Sequence, residues 1–173
     1  MIKYWFAPPM SANVTLKLER GSIGASGYDL MANIGTERTI NPGERWLIGT
    51  GLHLEMQIGT EAQIRSRSGL ALNDGVIVLN APGTIDADYR GEVGVTLYNA
   101  GVRHTRGEDR VQVEGQPFII TPGMRIAQLV FAPVYGVEAT HPFSILSSPM
   151  RVSRRDELIE TKRGGGGHGS TGR

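Results

Sequence analysis

"EVGVTLYN", residues 92–99, sets Val93, Val95 and Leu97 on one side of an extended chain and places polar or small residues between them. That period of two is what a strand with one buried face requires, because successive side chains point to opposite faces. "VTLKLE" at 14–19 repeats it, with Val14, Leu16 and Leu18 set against Thr15, Lys17 and Glu19. Further short β-rich runs are "WLIGTGLHLEM" (46–56), "VIVLNA" (76–81), "PFIITP" (117–122) and "IAQLVFAPV" (126–134). Turn-forming groups separate them: Asn41-Pro42-Gly43, Asn73-Asp74-Gly75, Pro82-Gly83 and Pro122-Gly123. Only "SRRDELIE" (153–160) invites a helical reading. Many short strands with this punctuation imply an all-β fold, a sandwich or jelly roll. The pattern weakens after residue 150. We therefore expect a core over 1–150 and an extended arm over 151–173.

At 173 residues the chain is one domain of ordinary size, long enough to bury its own core. Eighteen basic and 17 acidic residues leave a net charge of +1. This is not the basic field of a general nucleic-acid binder, and no nucleic acid is expected as a partner. The chain has no cysteine, which excludes disulfides and thiolate chemistry. "MIKYWFAPPM" is interrupted by Pro8-Pro9 too soon for a secretory signal, and no apolar run has the length of a membrane span. A soluble, cytoplasmic protein is expected.

Five segments could carry chemistry. "RGGGGHGSTGR" (163–173) lacks the lysine and following helix of a Walker P-loop. It is either a flexible linker or a backbone that wraps an anion, since glycine lets amide groups approach closely. In "GTIDADYRGEV" (83–93), Asp86 and Asp88 share a side if the segment is extended. Such a pair suits general-base work, and equally a polar turn. "QIRSRSGLAL" (63–72) can offer Arg65, Arg67 and two serine hydroxyls to phosphate, or be a solvated strand. "ASGYDLMA" (25–32) holds Asp29, suited to capping a turn. "GMRIAQLVF" (123–131) holds Arg125 and Gln128, suited to a strand edge.

Taken in order, these five segments resemble the five motifs of the trimeric dUTP pyrophosphatases (dUTPases), over about residues 25–172. The resemblance implies a distorted jelly-roll β-barrel and a homotrimer with shared active sites. The implied reaction is hydrolysis of dUTP to dUMP and pyrophosphate with Mg²⁺, which keeps uracil out of DNA and supplies dUMP for thymidylate synthesis. Asp86 matches the carboxylate that activates the attacking water. Tyr89 matches the tyrosine whose ring underlies the deoxyribose and excludes a 2′-hydroxyl. Asn80 matches the asparagine that binds uracil, in a hairpin (80–91) whose backbone, including Gly83 and Ile85, pairs with the base. Arg67, Ser68 and Gly69 match the phosphate turn, with Gln128 beside it. Asp29 matches an aspartate linked to the metal through water, the ion being held mainly by the triphosphate. The arm is expected to cross to a neighbouring subunit, where Arg163, Gly169, Ser170 and Thr171 grip the phosphates. His168 stands where the family has a phenylalanine that stacks on uracil; imidazole is flat too but offers less area.

The chain departs from this pattern at two longer segments. "AGVRHTRGEDRVQVEGQ" (100–116) reads as a solvated extension, or as a docking surface for a protein partner. "HPFSILSSPMRVSRRDELIETK" (141–162) precedes the arm. A related family of dCTP deaminases shares the fold but carries a glutamate where this chain has Thr96. Threonine cannot shuttle the proton that deamination needs, so deaminase or bifunctional activity is the lesser reading.

Overall fold

The computed structural model describes residues 2–101, 115–135, 152–154, 160–161 and 164–165. Its elements are β1 (Ile2–Phe6), β2 (Tyr28–Met31), β3 (Arg38–Ile40), β4 (Arg45–Gly49), β5 (Leu52–Glu55), β6 (Thr60–Arg65), α1 (Ser68–Asn73), β7 (Val76–Val78), β8 (Gly83–Ile85), β9 (Gly94–Asn99), β10 (Phe118–Ile120), β11 (Arg125–Pro133) and β12 (Val152–Arg154). Among the described residues the chain is all-β apart from the short α1, and the fold is of the jelly-roll type. Among the described residues the strands form four sheets, in the orders β12-β1-β5, β10-β3, β2-β11-β6-β8 and β4-β9-β7. Among the described residues, no helix is long and apolar enough to cross a membrane.

Alternation does what the opening segment requires. In β9, Val95, Leu97 and Asn99 are buried and the residues between them are half-buried. β6 buries Thr60, Ala62 and Ile64 in the same rhythm. Their inner faces join Ile48, Leu52, Leu54, Ile126 and Leu129 in one continuous core. Each large aliphatic side chain there contributes about 1.5–3 kcal/mol by leaving water. Asn99 is a polar exception with every group engaged. Its Nδ2 donates to Ile40 O (2.9 Å) and Gln116 O (2.8 Å), and its Oδ1 accepts from Gly101 N (2.8 Å). These bonds hold together the two ends of the 100–116 segment, whose residues 102–114 lie outside the described residues. In the nearby Asn41-Pro42-Gly43 turn, the Glu44 carboxylate accepts Asn41 N–H at 2.9 Å, and that bond holds its carboxyl below the ordinary glutamate value.

The structure differs from the sequence reading at three places. Residues 14–19 form no strand, although Leu18 is buried and Lys17 and Glu19 are exposed. Its backbone contacts are isolated ones: Asp29 N donates to Glu19 O at 2.9 Å, and the adjoining Arg20 forms a single bridge with Tyr28. Alternation thus reported burial without a ladder. The run 46–56 is two strands, broken at Gly51, whose φ of +69° favours glycine. Ser153 and Arg154, read as the start of a helix, belong to β12, which lies parallel to β1; residues 155–159 are outside the described set.

Candidate active site

Three adjacent strands assemble a cationic cluster. Gln128 on β11 is paired with Asp29 on β2 and with Arg65 at the end of β6. The chain then leaves β6 through Ser66 and Arg67 into α1. The Asp29 carboxylate lies between two guanidinium groups, with Arg125 Nη1 at 3.2 Å and Arg67 Nε at 3.6 Å. Arg67 Nη1 also donates to Arg125 O at 2.9 Å, so that arginine is fixed at both ends of its fork. Arg65 instead turns back along its own strand to Gln63 Oε1 (2.6 Å). Of the two arginines in "RSRS", only Arg67 joins Asp29.

Gln128 Nε2 donates to Ser66 O at 2.9 Å, which ties β11 to the turn before α1. One of its N–H groups is thereby spent and one remains. Its Oε1 occupies the space of the missing side chain at Gly27: a Cβ there would lie 2.6 Å from it. Gly27 is therefore part of the site, and the signal was available in "ASGYDL", where a small residue precedes the aspartate strand. Ser68 and Gly69 are exposed on the first turn of α1, and a Cβ built at Gly69 would meet nothing within 4 Å. Amides in a helical first turn have no intrahelical acceptor. Two guanidiniums, an amide and open backbone N–H groups suit a multiply charged anion.

The second group of site residues lies elsewhere. β8 pairs with β6, Gly83 opposite Ile64 and Ile85 opposite Ala62. The 80–91 segment is therefore no simple hairpin, because β8 and its successor β9 lie in different sheets. Asn80 is exposed, with Nδ2 3.3 Å from where a Gly83 Cβ would stand, and Ala81-Pro82 is cis. After Ile85 the chain turns. Tyr89 N donates to Asp86 O at 3.1 Å, with Ala87 and Asp88 at the corner. This corrects the extended geometry expected for Asp86 and Asp88. A turn does not keep residues two apart on one side. Asp86 is half-buried and Asp88 exposed.

Tyr89 is only 7% exposed, and its hydroxyl donates to Glu92 O at 2.9 Å. Its ring lies across Gly91, where a Cβ would come within 2.6 Å of Cζ. Two residues that the sequence did not single out brace this turn. Arg90 Nη1 donates to Ala87 O (2.7 Å) and Tyr89 O (3.0 Å), with Leu54 O at 3.3 Å. His53 Nδ1 lies 2.9 Å from Arg90 O, which makes the Nδ1–H form the donor.

Within one chain the two groups lie toward opposite ends of β6. Asp86 follows Ile85, so the register carried one step further sets it against Glu61 at one end of β6, while Arg67 follows the other end. Six residues of extended chain separate those positions, roughly 20 Å. Of the arm, Arg163, His168, Gly169, Ser170 and Thr171 lie outside the described residues. Among the described residues, no group of three or more His, Asp or Glu side chains is placed to hold a metal ion. Asp29 retains lone pairs beyond its two arginine contacts, which fits a water-mediated link to a hydrated Mg²⁺ rather than a protein cage.

A family model described as dUTPase matches residues 16–172. The deoxyuridine 5'-triphosphate nucleotidohydrolase of Chlamydia muridarum (strain MoPn / Nigg) is 46% identical over 163 residues, covering 90% of this chain and 95% of that protein. The enzyme of the same name from Methylocella silvestris is 48% identical over 153 residues, covering 87% and 79%. Among solved structures, a mutant dUTPase from phage phi11 of S. aureus, described as coordinating a structural Mg(II) ion, superposes with a TM-score of 0.61. It is 22% identical and covers 82% of this chain and 95% of its own. The Staphylococcus bacteriophage 80alpha dUTPase with dUPNHPP gives a TM-score of 0.60 at 22% identity, covering 100% and 99%.

Proposed function

The chain belongs to the dUTPase family, and from that premise we propose that its active site is divided between copies of the chain. The protein is a dUTP diphosphatase: it converts dUTP and water to dUMP and pyrophosphate. In the divided site, the phosphates of dUTP lie on Arg67, Gln128 and the first turn of α1 of one copy. Asp86 arrives from another copy. The separation of Asp86 from Arg67 along β6 supports this reading, since one triphosphate cannot engage both within a single chain.

The chemistry then follows from placement. Asp86 accepts a proton from water as the water oxygen bonds to the α-phosphorus. The bond from that phosphorus to the bridging oxygen breaks, and pyrophosphate leaves. Phosphoryl transfer is catalysed mainly by positioning and charge neutralisation, which Arg67 supplies on one copy and Arg163 of the arm adds. Mg²⁺ would be held mainly by the triphosphate, with Asp29 reaching it through water, and would supply further neutralisation of phosphate oxygens. Tyr89, packed on Gly91 and bonded to Glu92 O, is a fixed wall against the sugar and leaves no space for a 2′-hydroxyl. Asn80 and the backbone at Gly83 and Ile85 meet the uracil edge; a wrong base leaves those groups unpaired, which is costly. A homotrimer repeats the contact around a closed ring and builds three such sites.

Pyrophosphate release measured in parallel on dUTP, dCTP, dTTP and UTP tests this assignment. We expect turnover of dUTP alone, with each competitor at least about 10²-fold lower in kcat/KM. Comparable release from dCTP or UTP would remove the roles given to the 80–91 segment and Tyr89.

A further inference from the structure

Where the chain leaves the Tyr89 turn for β9, it is tied to the junction between β4 and β5. Val93 N donates to Leu52 O at 2.7 Å. The Thr50 hydroxyl donates to Val93 O at 2.6 Å and accepts from Leu52 N at 3.2 Å. One residue earlier the tie is a side chain. Glu92 is an exposed residue, yet its carboxylate folds back over the junction, where Oε1 accepts from Gly51 N at 2.6 Å. Gly49 leaves room for it: a Cβ built there would lie 2.5 Å from Oε1 and 3.2 Å from Cδ. The junction is held from behind as well, since Asn33 N donates to Gly49 O at 2.8 Å and Ala7 N to Gly51 O at 2.7 Å. The main-chain carbonyl of the same Glu92 is the acceptor of the Tyr89 hydroxyl, at 2.9 Å.

We propose that Glu92 is a positioning residue for sugar selection: its carboxylate, bonded to Gly51 N, fixes the carbonyl that holds the Tyr89 hydroxyl, and so fixes the Tyr89 ring. The peptide that carries Glu92 O is gripped at both ends. Val93 N holds it on one side through Leu52 O. On the other side stands Gly91, which has no side chain to restrain the backbone, and there the Glu92 carboxylate supplies the restraint. The proposal rests on the reading of Tyr89 as the wall against a 2′-hydroxyl. A small tilt of that ring opens room for ribose, so discrimination between dUTP and UTP reports the ring's position more sharply than turnover of dUTP does. Glu92 itself touches no substrate in this account.

The quantity to measure is the ratio of kcat/KM for dUTP to that for UTP. In Glu92→Ala it is expected to fall about tenfold, with kcat/KM for dUTP itself within about threefold of wild type. Glu92→Gln keeps an acceptor oxygen for Gly51 N and should hold the ratio within about twofold. Glu92→Asp keeps the charge but is too short to reach Gly51 N, so it should follow alanine, and it serves in its place if Glu92→Ala does not fold. In a Tyr89→Phe background, which lacks the hydroxyl, adding Glu92→Ala should change the ratio by less than about twofold further. An unchanged ratio in Glu92→Ala and Glu92→Asp, a glutamine variant as impaired as alanine, or the full tenfold effect in the phenylalanine background would each overturn the proposal. Failure of both shortened variants to fold would do so too, since Glu92 would then serve the fold rather than selection. Tyr89→Ala, assayed alongside, tells two failures apart. If it rejects UTP as wild type does, the sugar wall is misassigned and the proposal falls with it. If it admits UTP and Glu92→Ala does not, the proposal alone falls.

Discussion

Asp86→Asn is expected to lower kcat for dUTP by about 10²–10⁴-fold, the span a positioned general base supplies. KM should stay near that of the wild type. The amide has almost the size of the carboxylate, so the turn closed by Tyr89 N and braced by Arg90 has no reason to rearrange. What it loses is the ability to take a proton from water. In the proposed site the phosphate contacts come from Arg67, Gln128 and α1 of another copy. Steady-state kinetics, with binding of an unhydrolysable dUTP analogue, separates the two effects. A variant that turns over normally contradicts the assigned base. One that also stops binding the analogue places Asp86 in substrate binding instead.

Arg67→Ala should be nearly as severe and of a different kind. We expect kcat/KM to fall roughly 10²–10³-fold, with KM raised and kcat reduced, because the guanidinium meets phosphate charge in the ground state and more strongly in the transition state. A second consequence follows from Asp29. With Arg67 gone, its carboxylate keeps only the Arg125 contact at 3.2 Å and faces the phosphates less neutralised. Arg67→Lys retains charge but not the fork that reaches both Asp29 and Arg125 O, so it should fall between wild type and alanine. Lysine matching arginine would show that charge alone suffices there.

Much of the fold was legible because alternation encodes burial directly. β9 and β6 show the pattern in sequence and in the core. The same signal misled at 14–19, since a period of two reports which side chains are inside and not whether a neighbouring strand is present to form a ladder. The site was legible as motifs rather than as geometry. Arg67, Asp29 and Gln128 are distant in sequence, and only the β2-β11-β6 register brings them together. The braces escaped notice for a related reason. His53 acts on a carbonyl far along the chain, and Arg90 acts through a side chain that folds back on its own turn. Gly27 and Gly91 matter for the side chains that fill their empty Cβ positions, Gln128 and Tyr89.

Mixing two inactive variants tests the divided site most directly. Asp86→Asn and Arg67→Ala chains, each inactive alone, are refolded together in equal amounts and assayed for pyrophosphate release from dUTP. If Asp86 and Arg67 of one site come from different chains, random assembly restores about a quarter of wild-type activity, from sites that draw each intact residue from the complementary variant. If both residues of a site come from the same chain, no mixture contains an intact site, and activity that stays at the level of the separate variants would contradict the divided site.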